Sequence, residues 1–157
     1  MKKNIRKATE KDIPEIIKML FKLTSYEREI INMKPPEIKE VSSRVNLDFV
    51  YKNNLDYLIC EIKDEIVAVI KIEKFFDEAK LSEAYVKKGF RKKGIMALLF
   101  DECLKWAKKR NINYFYLTIV EGNELAYNYW TNLGFYKTEL RSKLITLRRK
   151  VNKDIVK

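Results

Sequence analysis

The chain has 157 residues, of which 46% are apolar and 35% are charged, so we expect one globular domain, residues 1–157, with a substantial core. Lys and Arg outnumber Asp and Glu by 33 to 22, and the net charge of +11 favours anionic partners such as nucleotide-like cofactors, nucleic acid or acidic substrates. The apolar runs are too short to span a bilayer, and the basic N-terminus lacks the apolar core of a signal peptide. We therefore expect a cytoplasmic protein with no membrane partner.

Residue types that are absent or scarce limit the kinds of catalytic and metal site that the protein can form. The chain contains no histidine, which removes Ser-His and Cys-His nucleophile systems and most transition-metal chemistry. Its two cysteines, Cys60 and Cys103, lie far apart in the sequence, and we interpret both as free thiols rather than as a disulfide or a zinc site. We therefore expect no metal, and any proton transfer must use Glu, Asp, Tyr, Lys, Cys or water.

A strand and two helices are predicted for the first 50 residues. The strand covers Asn4 to Ala8, and Thr9 caps a helix with Pro14 in its first turn. The apolar face of that helix comprises Ile13, Ile16, Ile17, Leu20 and Leu23. Tyr26 to Lys34 is predicted to be an irregular, charged connection, and Pro35-Pro36 opens the second helix. One face of the second helix comprises Ile38, Val41, Val45 and Phe49.

The clearest hairpin joins Leu55–Glu61 to Glu65–Phe76 through a turn at Lys63-Asp64. A central strand, Lys80 to Val86, follows, and a helix begins after Gly94. The buried face of this helix is predicted to comprise Ile95, Leu98, Leu99, Cys103, Trp106 and Ala107.

The turn between that strand and helix, Lys87 to Gly94, has the features of an anion site. It carries five cations, Lys87, Lys88, Arg91, Lys92 and Lys93. The helix N-terminus leaves backbone N–H groups without intrahelical partners, and a glycine at position 94 lets a phosphate approach without meeting a Cβ. The turn therefore predicts a phosphate site, although basic turns that only shape the chain are also common on cationic proteins.

The last third of the chain supplies a further strand, a helix and a hairpin. Tyr114 to Val120 is an apolar strand, and the helix between it and the central strand implies that the two strands are parallel. After the turn Glu121–Asn123, a helix continues through Leu133 and ends at Gly134. The remaining segments are an antiparallel pair, Phe135–Thr138 with Leu140–Arg149, and a frayed tail, Val151–Lys157.

Two motifs at a fixed separation lie within this pattern. The first follows the strand ending at Val86 and reads Arg91-Lys92-Lys93-Gly94-Ile95-Met96, close to the pattern Gln/Arg-x-x-Gly-x-Gly/Ala. The second reads Asn123-Glu124-Leu125-Ala126, with Trp130 four residues later and Gly134-Phe135 at its end. In a chain of this length and element order, the two motifs together resemble the GNAT superfamily of acetyl-CoA-dependent N-acetyltransferases.

The resemblance covers residues 55–149 well and implies an α/β fold of the GNAT type. In this fold a mixed, mostly antiparallel sheet has a splayed central parallel pair and flanking helices. It also implies acetyl-CoA as cosubstrate, a primary amine of a small molecule or peptide as acceptor, and a homodimer as a frequent assembly. The amides of the first motif would hold the pyrophosphate, and the central strand would pair with the pantetheine arm. The implied cofactor-binding residues are Ala84, Tyr85, Val86, Arg91, Lys92, Lys93, Gly94, Ile95, Met96, Asn123, Ala126 and Trp130.

Two positions depart from the family pattern. Met96 stands where the family prefers glycine or alanine, so its side chain must turn away from the pyrophosphate. Trp130 stands where the family often has the tyrosine that protonates the leaving thiolate, and the indole N–H is no useful acid. Tyr129 is the substitute candidate. The alternative is that Tyr129 packs in the core, and that water or the substrate protonates the thiolate.

Glu83 is the candidate general base, because relatives often place an acidic residue three positions before the strand end at Val86. A carboxylate there could attract a cationic amine and accept its proton, directly or through water. The alternative is an ordinary strand glutamate that faces solvent.

An acetyltransferase that acts by direct attack in a ternary complex is the leading hypothesis. The missing tyrosine leaves open a catalytically silent acyl-CoA sensor. The net charge and the aromatic residues of Tyr114–Tyr116 suggest a nucleic-acid binder, but that segment is more typical of a buried strand.

Overall fold

The computed structural model describes residues 1–51 and 53–152. Its strands are β1 Asn4–Lys7, β2 Leu55–Ile62, β3 Glu65–Phe75, β4 Glu78–Val86, β5 Tyr114–Val120, β6 Tyr136–Arg141 and β7 Leu144–Lys150. Its helices are α1 Ile13–Ile30, α2 Ile38–Val50, α3 Ile95–Lys109 and α4 Glu124–Asn132, with short 3-10 turns at Glu10–Asp12 and Lys88–Phe90. No helix in this part of the chain is both long and apolar enough to cross a bilayer.

The strands form one sheet in the order β1-β2-β3-β4-β5-β7-β6. Neighbouring strands are antiparallel except β4 and β5, which α3 connects and which are parallel. The predicted sheet, mostly antiparallel with a central parallel pair, is therefore confirmed.

Helices on both faces of the sheet enclose the core. On one face α1 and α2 bury their apolar stripes, including Ile16, Leu20, Val41 and Val45, against β2 and β3. On the other face α3 and α4 pack against buried residues of β2, β3, β4, β5 and β7, while β6 is exposed. The centre of that second core is aromatic and comprises Phe100, Phe115, Trp130 and Phe135, whose ring centroids lie 5.4–6.4 Å apart.

The segment Tyr114–Val120 is a strand with one buried face, because Phe115 and Leu117 point into the aromatic core. Both cysteines are free and buried, and burial raises the pKa of each thiol. The disulfide that the sequence argued against is therefore excluded for Cys60 and Cys103.

The sequence predicts the position of one hairpin turn correctly and the position of another wrongly. Lys63 and Asp64 have φ angles of 49° and 64°, as a two-residue hairpin turn requires, so the predicted turn is confirmed. The last hairpin turns at Ser142 and Lys143, with φ angles of 51° and 65°, and not near Glu139 as predicted. Serine and lysine give no local signal for such a turn, and the register of β6 against β7 decides it.

Two further predictions are wrong. The segment Tyr26–Lys34 is not irregular in its first half, because α1 continues to Ile30. Arg28 of this segment forms an ion pair with Glu40 of α2. Leu98 is 38% exposed instead of buried, and Phe100 takes a place in the core instead. Of the tail, Val151 lies against the core, while residues 153–157 fall outside the described residues.

Candidate active site

A gap opens between β4 and β5 toward their carboxyl ends. The two strands pair only from Glu78–Lys80 to Tyr114–Tyr116, and no pairing is present beyond that point among the described residues. The Lys87 N–H donates to Val67 O of β3 at 2.8 Å. Because the peptide groups of successive strand residues alternate in direction, those of Ala84 and Val86 point away from β3 and into the gap.

A β-bulge lies in β4 beside this gap. Ser82 is opposite Lys71 and Tyr85 is opposite Val69, so Glu83 and Ala84 together face a single residue of β3. Glu83 has a φ of 54°, in the left-handed region that favours glycine. The bulge sends Ala84 and Val86 to the α3 face of the sheet and Tyr85 to the α1 face.

The N-terminus of α3 lies at the same end of the gap. The first helical hydrogen bond runs from Leu98 N–H to Gly94 O at 3.2 Å, so the N–H groups of Ile95, Met96 and Ala97 have no intrahelical partner. Gly94 has a φ of 75°, and a Cβ built there would meet no atom within 4 Å. The free N–H groups of Ile95, Met96 and Ala97 and the space above Gly94 therefore form an open cradle at the start of α3. The helix dipole makes this cradle attractive to an anion.

The cations of the loop do not all face this cradle. Lys87 is held by Glu15 at 2.5 Å and by Glu65 at 3.3 Å. Arg91 donates from Nε to Val86 O at 2.8 Å, and its guanidinium carbon lies 5.3 Å from the centre of the Tyr85 ring. The remaining loop cations, Lys88, Lys92 and Lys93, are exposed.

The side chains that close the first motif pack away from the cradle. Ile95 is 2% exposed and belongs to the core beneath α3. Met96 is half-buried against the same core, as its departure from the glycine pattern requires.

The second motif forms the N-terminus of α4, at the carboxyl end of β5. Asn123 is 8% exposed, and its Oδ1 accepts from Ala126 N–H at 3.3 Å, which caps the helix. Ala126 is half-buried against the core. Asn123 also lines a cavity of about 280 Å³ with Val120, Glu121, Gly122, Glu124, Tyr127, Lys137 and Ile145. Both motifs therefore lie at the edge where β4 and β5 end.

The two aromatic residues considered for proton transfer are enclosed. Trp130 is 6% exposed and packs edge-on against Phe100 and Phe135, with ring centroids 6.0 and 5.4 Å away. The Tyr129 hydroxyl is buried without a hydrogen-bond partner among the described residues. Burial, and secondarily the Asp101 carboxylate, raises the pKa of Tyr129.

The bulge residue Glu83 faces α1 and α2 rather than open solvent. Arg44 of α2 donates from Nε to Glu83 Oε2 at 3.1 Å, and its Nη2 lies 3.0 Å from the same oxygen. Nη2 also donates to Thr24 Oγ1 at 3.3 Å. The Glu83 side chain is only 16% exposed, which contradicts the alternative of an ordinary solvent-facing glutamate.

A second carboxylate of this region, Glu27, was not predicted. The pKa of Glu27 is raised to about 7, mainly by burial and also by the Glu83 charge, and Arg44 offsets part of the rise. In the sequence Glu27 and Arg44 are ordinary charged residues, and no spacing or motif marks them. No group of three or more potential metal ligands is present in residues 1–51 and 53–152.

Comparison with known proteins identifies the family. The family profile described as Acetyltransferase (GNAT) family matches residues 22–135. Comparison with curated proteins finds no significant match.

Solved structures share the fold. An acetyltransferase of the GNAT family from Staphylococcus aureus Mu50 is 20% identical, with a TM-score of 0.79 over 96% of this chain and 100% of that one. The PaiA N-acetyltransferase from Thermoplasma acidophilum, in complex with coenzyme A, is 17% identical, with a TM-score of 0.77 over 96% and 99% of the two chains. A spermidine N-acetyltransferase from Vibrio cholerae, in complex with CoA and spermine, is 13% identical, with a TM-score of 0.74 over 98% of each chain. At these identities the likeness shows the fold alone, and the profile match over residues 22–135 establishes that this chain belongs to the GNAT acetyltransferase family.

Proposed function

We propose that the protein transfers an acetyl group from acetyl-CoA to a primary amine by direct attack in a ternary complex. The observation that carries the proposal is the gap between β4 and β5. There the peptide groups of Ala84 and Val86 lack a strand partner among the described residues, and the open cradle at Gly94 lies at the end of the gap.

Acetyl-CoA fits these features in two places. Its pyrophosphate would lie in the cradle, where the free N–H groups of Ile95 and Met96 would donate to it and the exposed Lys92 and Lys93 would screen its charge. Its amide-rich pantetheine arm would pair with Ala84 and Val86 in place of a further strand. The Val86 carbonyl now accepts from Arg91, so this guanidinium would turn toward a phosphate when the arm binds.

The second motif would hold the other side of the arm. The Oδ1 of Asn123 is used as a helix cap, which leaves its Nδ2 group to donate to a carbonyl of the arm. Tyr85, Ala126 and Trp130 would shape the gap, and their cofactor role rests on the family pattern.

The chemistry would proceed without a covalent enzyme intermediate. The ammonium of the acceptor loses one proton, and the free amine attacks the thioester carbon, while a β4 N–H group stabilises the developing oxyanion. The C–S bond then breaks, the nitrogen gives up its second proton, the thiolate takes up one proton, and the products are an amide, CoA and one released proton. Glu83 would attract the ammonium and is a candidate to accept its proton, directly or through water. Tyr129 remains a candidate acid only if its hydroxyl, now enclosed, becomes accessible to the thiolate.

The relatives support the classes of cosubstrate and acceptor. The Thermoplasma protein is complexed with coenzyme A, and the Vibrio protein with CoA and the polyamine spermine. By analogy we propose acetyl-CoA as cosubstrate and an amine as acceptor, while a metal-free reaction in the cytoplasm and a homodimer remain predictions from the sequence and the family.

Calorimetric titration with acetyl-CoA tests the cofactor site. The wild type should bind, and Gly94→Glu should abolish binding because it places a carboxylate in the cradle. Gly89→Glu is the matched control, since Gly89 lies in the same loop with open space around it and no positive φ. Asn123→Ala should weaken binding about tenfold, the effect of one lost hydrogen bond. A folded wild type that binds no acetyl-CoA, or equal loss in both glutamate variants, would overturn the proposal.

A catalytically silent sensor of acyl-CoA is the second candidate, favoured by the enclosure of Trp130 and Tyr129. A sensor would bind acetyl-CoA but release no thiol with any member of a panel of primary amines. Thiol release above the rate of hydrolysis with one amine of the panel supports the enzyme and excludes the sensor.

A further inference from the structure

Helix α1 crosses the sheet above the gap between β4 and β5. Near its start, Glu15 is paired with Lys87 at the end of β4, with Nζ and Oε1 2.5 Å apart. At its last residue, Ile30 Cγ2 lies 3.0 Å from the position of a Cβ built on Gly122, just beyond the end of β5. The C-terminal half of α1 therefore bridges the two diverging strands.

Glu27 occupies the part of α1 that faces this opening. It lies one helical turn before Ile30 and one turn after Thr24, and residues three apart share a helix face. Thr24 is joined through Arg44 to Glu83 of the bulge. Glu27 is thus placed between the β4 bulge and the end of β5, where the reacting amine would meet the thioester.

The charges at this position are not balanced. The single guanidinium of Arg44 gives two contacts to one oxygen of Glu83. Glu27 takes part in none of the ion pairs or side-chain hydrogen bonds found within residues 1–51 and 53–152, although it is partly buried. The pair of carboxylates with one guanidinium leaves one negative charge uncompensated, in a protein whose net charge is +11. A cationic amine is the natural complement of this charge.

The environment of Glu27 favours the uptake of a proton. Glu83 is held by Arg44, whereas desolvation and the Glu83 charge raise the pKa of Glu27 to about 7. A base with a pKa near the working pH is the most effective in proton transfer. The charged groups that act on Glu27 are Glu83 on β4 and Arg44 on α2. Next to these two lie Tyr57, Asp48 and Lys71, which interact with one another.

We propose that Glu27 accepts the proton of the acceptor amine, and that Glu83, fixed by Arg44, attracts and orients the ammonium. The proposal rests on the proposed acetyl transfer. One proton passes from the substrate nitrogen to a Glu27 oxygen before or as the N–C bond forms, and Glu27 returns it to solvent after the C–S bond has broken. Arg44 is a positioning residue, because it acts on the substrate only through Glu83.

The first arm of the test needs neither acceptor nor cosubstrate. Carboxyl NMR titration of the protein labelled with [¹³C]glutamate should show one side-chain resonance that titrates near pH 7. That resonance should vanish in Glu27→Gln and titrate at lower pH in Glu83→Gln, since the neighbouring negative charge is gone. Glu29→Gln, an exposed change two residues further along α1, should leave it in place. A resonance near pH 7 that persists in Glu27→Gln would overturn the proposal.

The second arm measures acetyl transfer to the primary amine that gives the fastest thiol release in the acceptor panel. We expect kcat/KM of the wild type to rise with an apparent pKa near 7. Glu27→Gln should lower kcat by about 100-fold and remove that rise, the loss typical of a general base. Glu83→Gln and Arg44→Ala should act mainly on the KM of the amine, and Glu27→Asp should restore part of kcat with a displaced profile.

The outcomes separate this inference from the proposed function. If the wild type releases thiol and folded Glu27→Gln keeps both its rate and its pH profile, the role of Glu27 is refuted and the acetyltransferase stands. If the wild type releases no thiol with any amine, both the proposed acetyl transfer and the role of Glu27 are refuted, whatever the NMR titration shows.

Discussion

The left-handed conformation of Glu83 predicts an unusual order of stability among its variants. A residue with a Cβ at a φ of 54° pays roughly 1–2 kcal/mol in steric strain, while glycine avoids this and loses roughly 0.5–1 kcal/mol more in conformational entropy. Glu83→Gly and Glu83→Ala both remove the ion pair with Arg44, so that contribution cancels in the comparison. We expect the glycine variant to be more stable than the alanine variant by about 1 kcal/mol, equivalent to roughly 2–4 °C in Tm.

Urea unfolding of the two variants at neutral pH measures this difference directly. The matched control is the same pair of changes at Ser82, the preceding residue of β4, which does not have a positive φ. At Ser82 alanine should be the more stable, because glycine only adds entropy to the unfolded chain. If Glu83→Ala is as stable as Glu83→Gly, the bulge relaxes freely and does not hold Glu83 toward α1. Both Glu83 variants should raise the KM of the acceptor amine alike, since neither has the carboxylate.

Three further predictions concern buried polar groups. Because the pKa of Glu27 is raised from 4.5 to about 7, folding loses stability as the pH rises through that window. Glu27→Gln should therefore gain up to about 3 kcal/mol over wild type above pH 7 and nothing below pH 4, measured by urea unfolding. Cys103 should resist a thiol reagent until the protein unfolds, since burial raises its pKa, and rapid labelling would contradict its position in the core. Asp56→Ala should cost roughly 1–3 kcal/mol by unfolding, because the buried Trp106 Nε1 donates to Asp56 at 2.8 Å; Asp56→Asn, which keeps an acceptor, should cost less.

The elements that the sequence predicts well are those with a strong local signal. The bounds of β5 agree with the apolar run Tyr114–Val120, and the first hairpin turns at Lys63-Asp64 as predicted. Both motifs also lie where they were expected, on the loop before α3 and at the start of α4. In each case a single stretch of chain carries the pattern, so no distant contact is needed to read it.

The features that the sequence did not reveal depend on contacts between distant segments. The last turns of α1 are polar, and they are helical partly because Arg28 and Thr24 bind residues of α2. The bulge that holds Glu83 in the left-handed conformation depends on the register of β4 against β3, and the sequence of one strand alone does not specify that register. Glu27 gains its environment only when these two features are brought together.

The two features with an energetic cost in this region favour a functional rather than a structural explanation of the site. Of the residues other than glycine that have a positive φ in the described part of the chain, Glu83 alone lies within a strand, while the others lie in turns and connections. A fold selected only for stability would place glycine or asparagine at such a position. Glu27 adds an independent cost, because a carboxylate that is desolvated beside a like charge opposes folding at neutral pH. Strain and an uncompensated charge in the same few residues, above the gap between β4 and β5, are expected where a ligand of opposite charge supplies the missing interaction. Binding of a cationic amine should therefore raise the Tm of the wild type more than that of Glu27→Gln, and equal shifts would contradict this explanation.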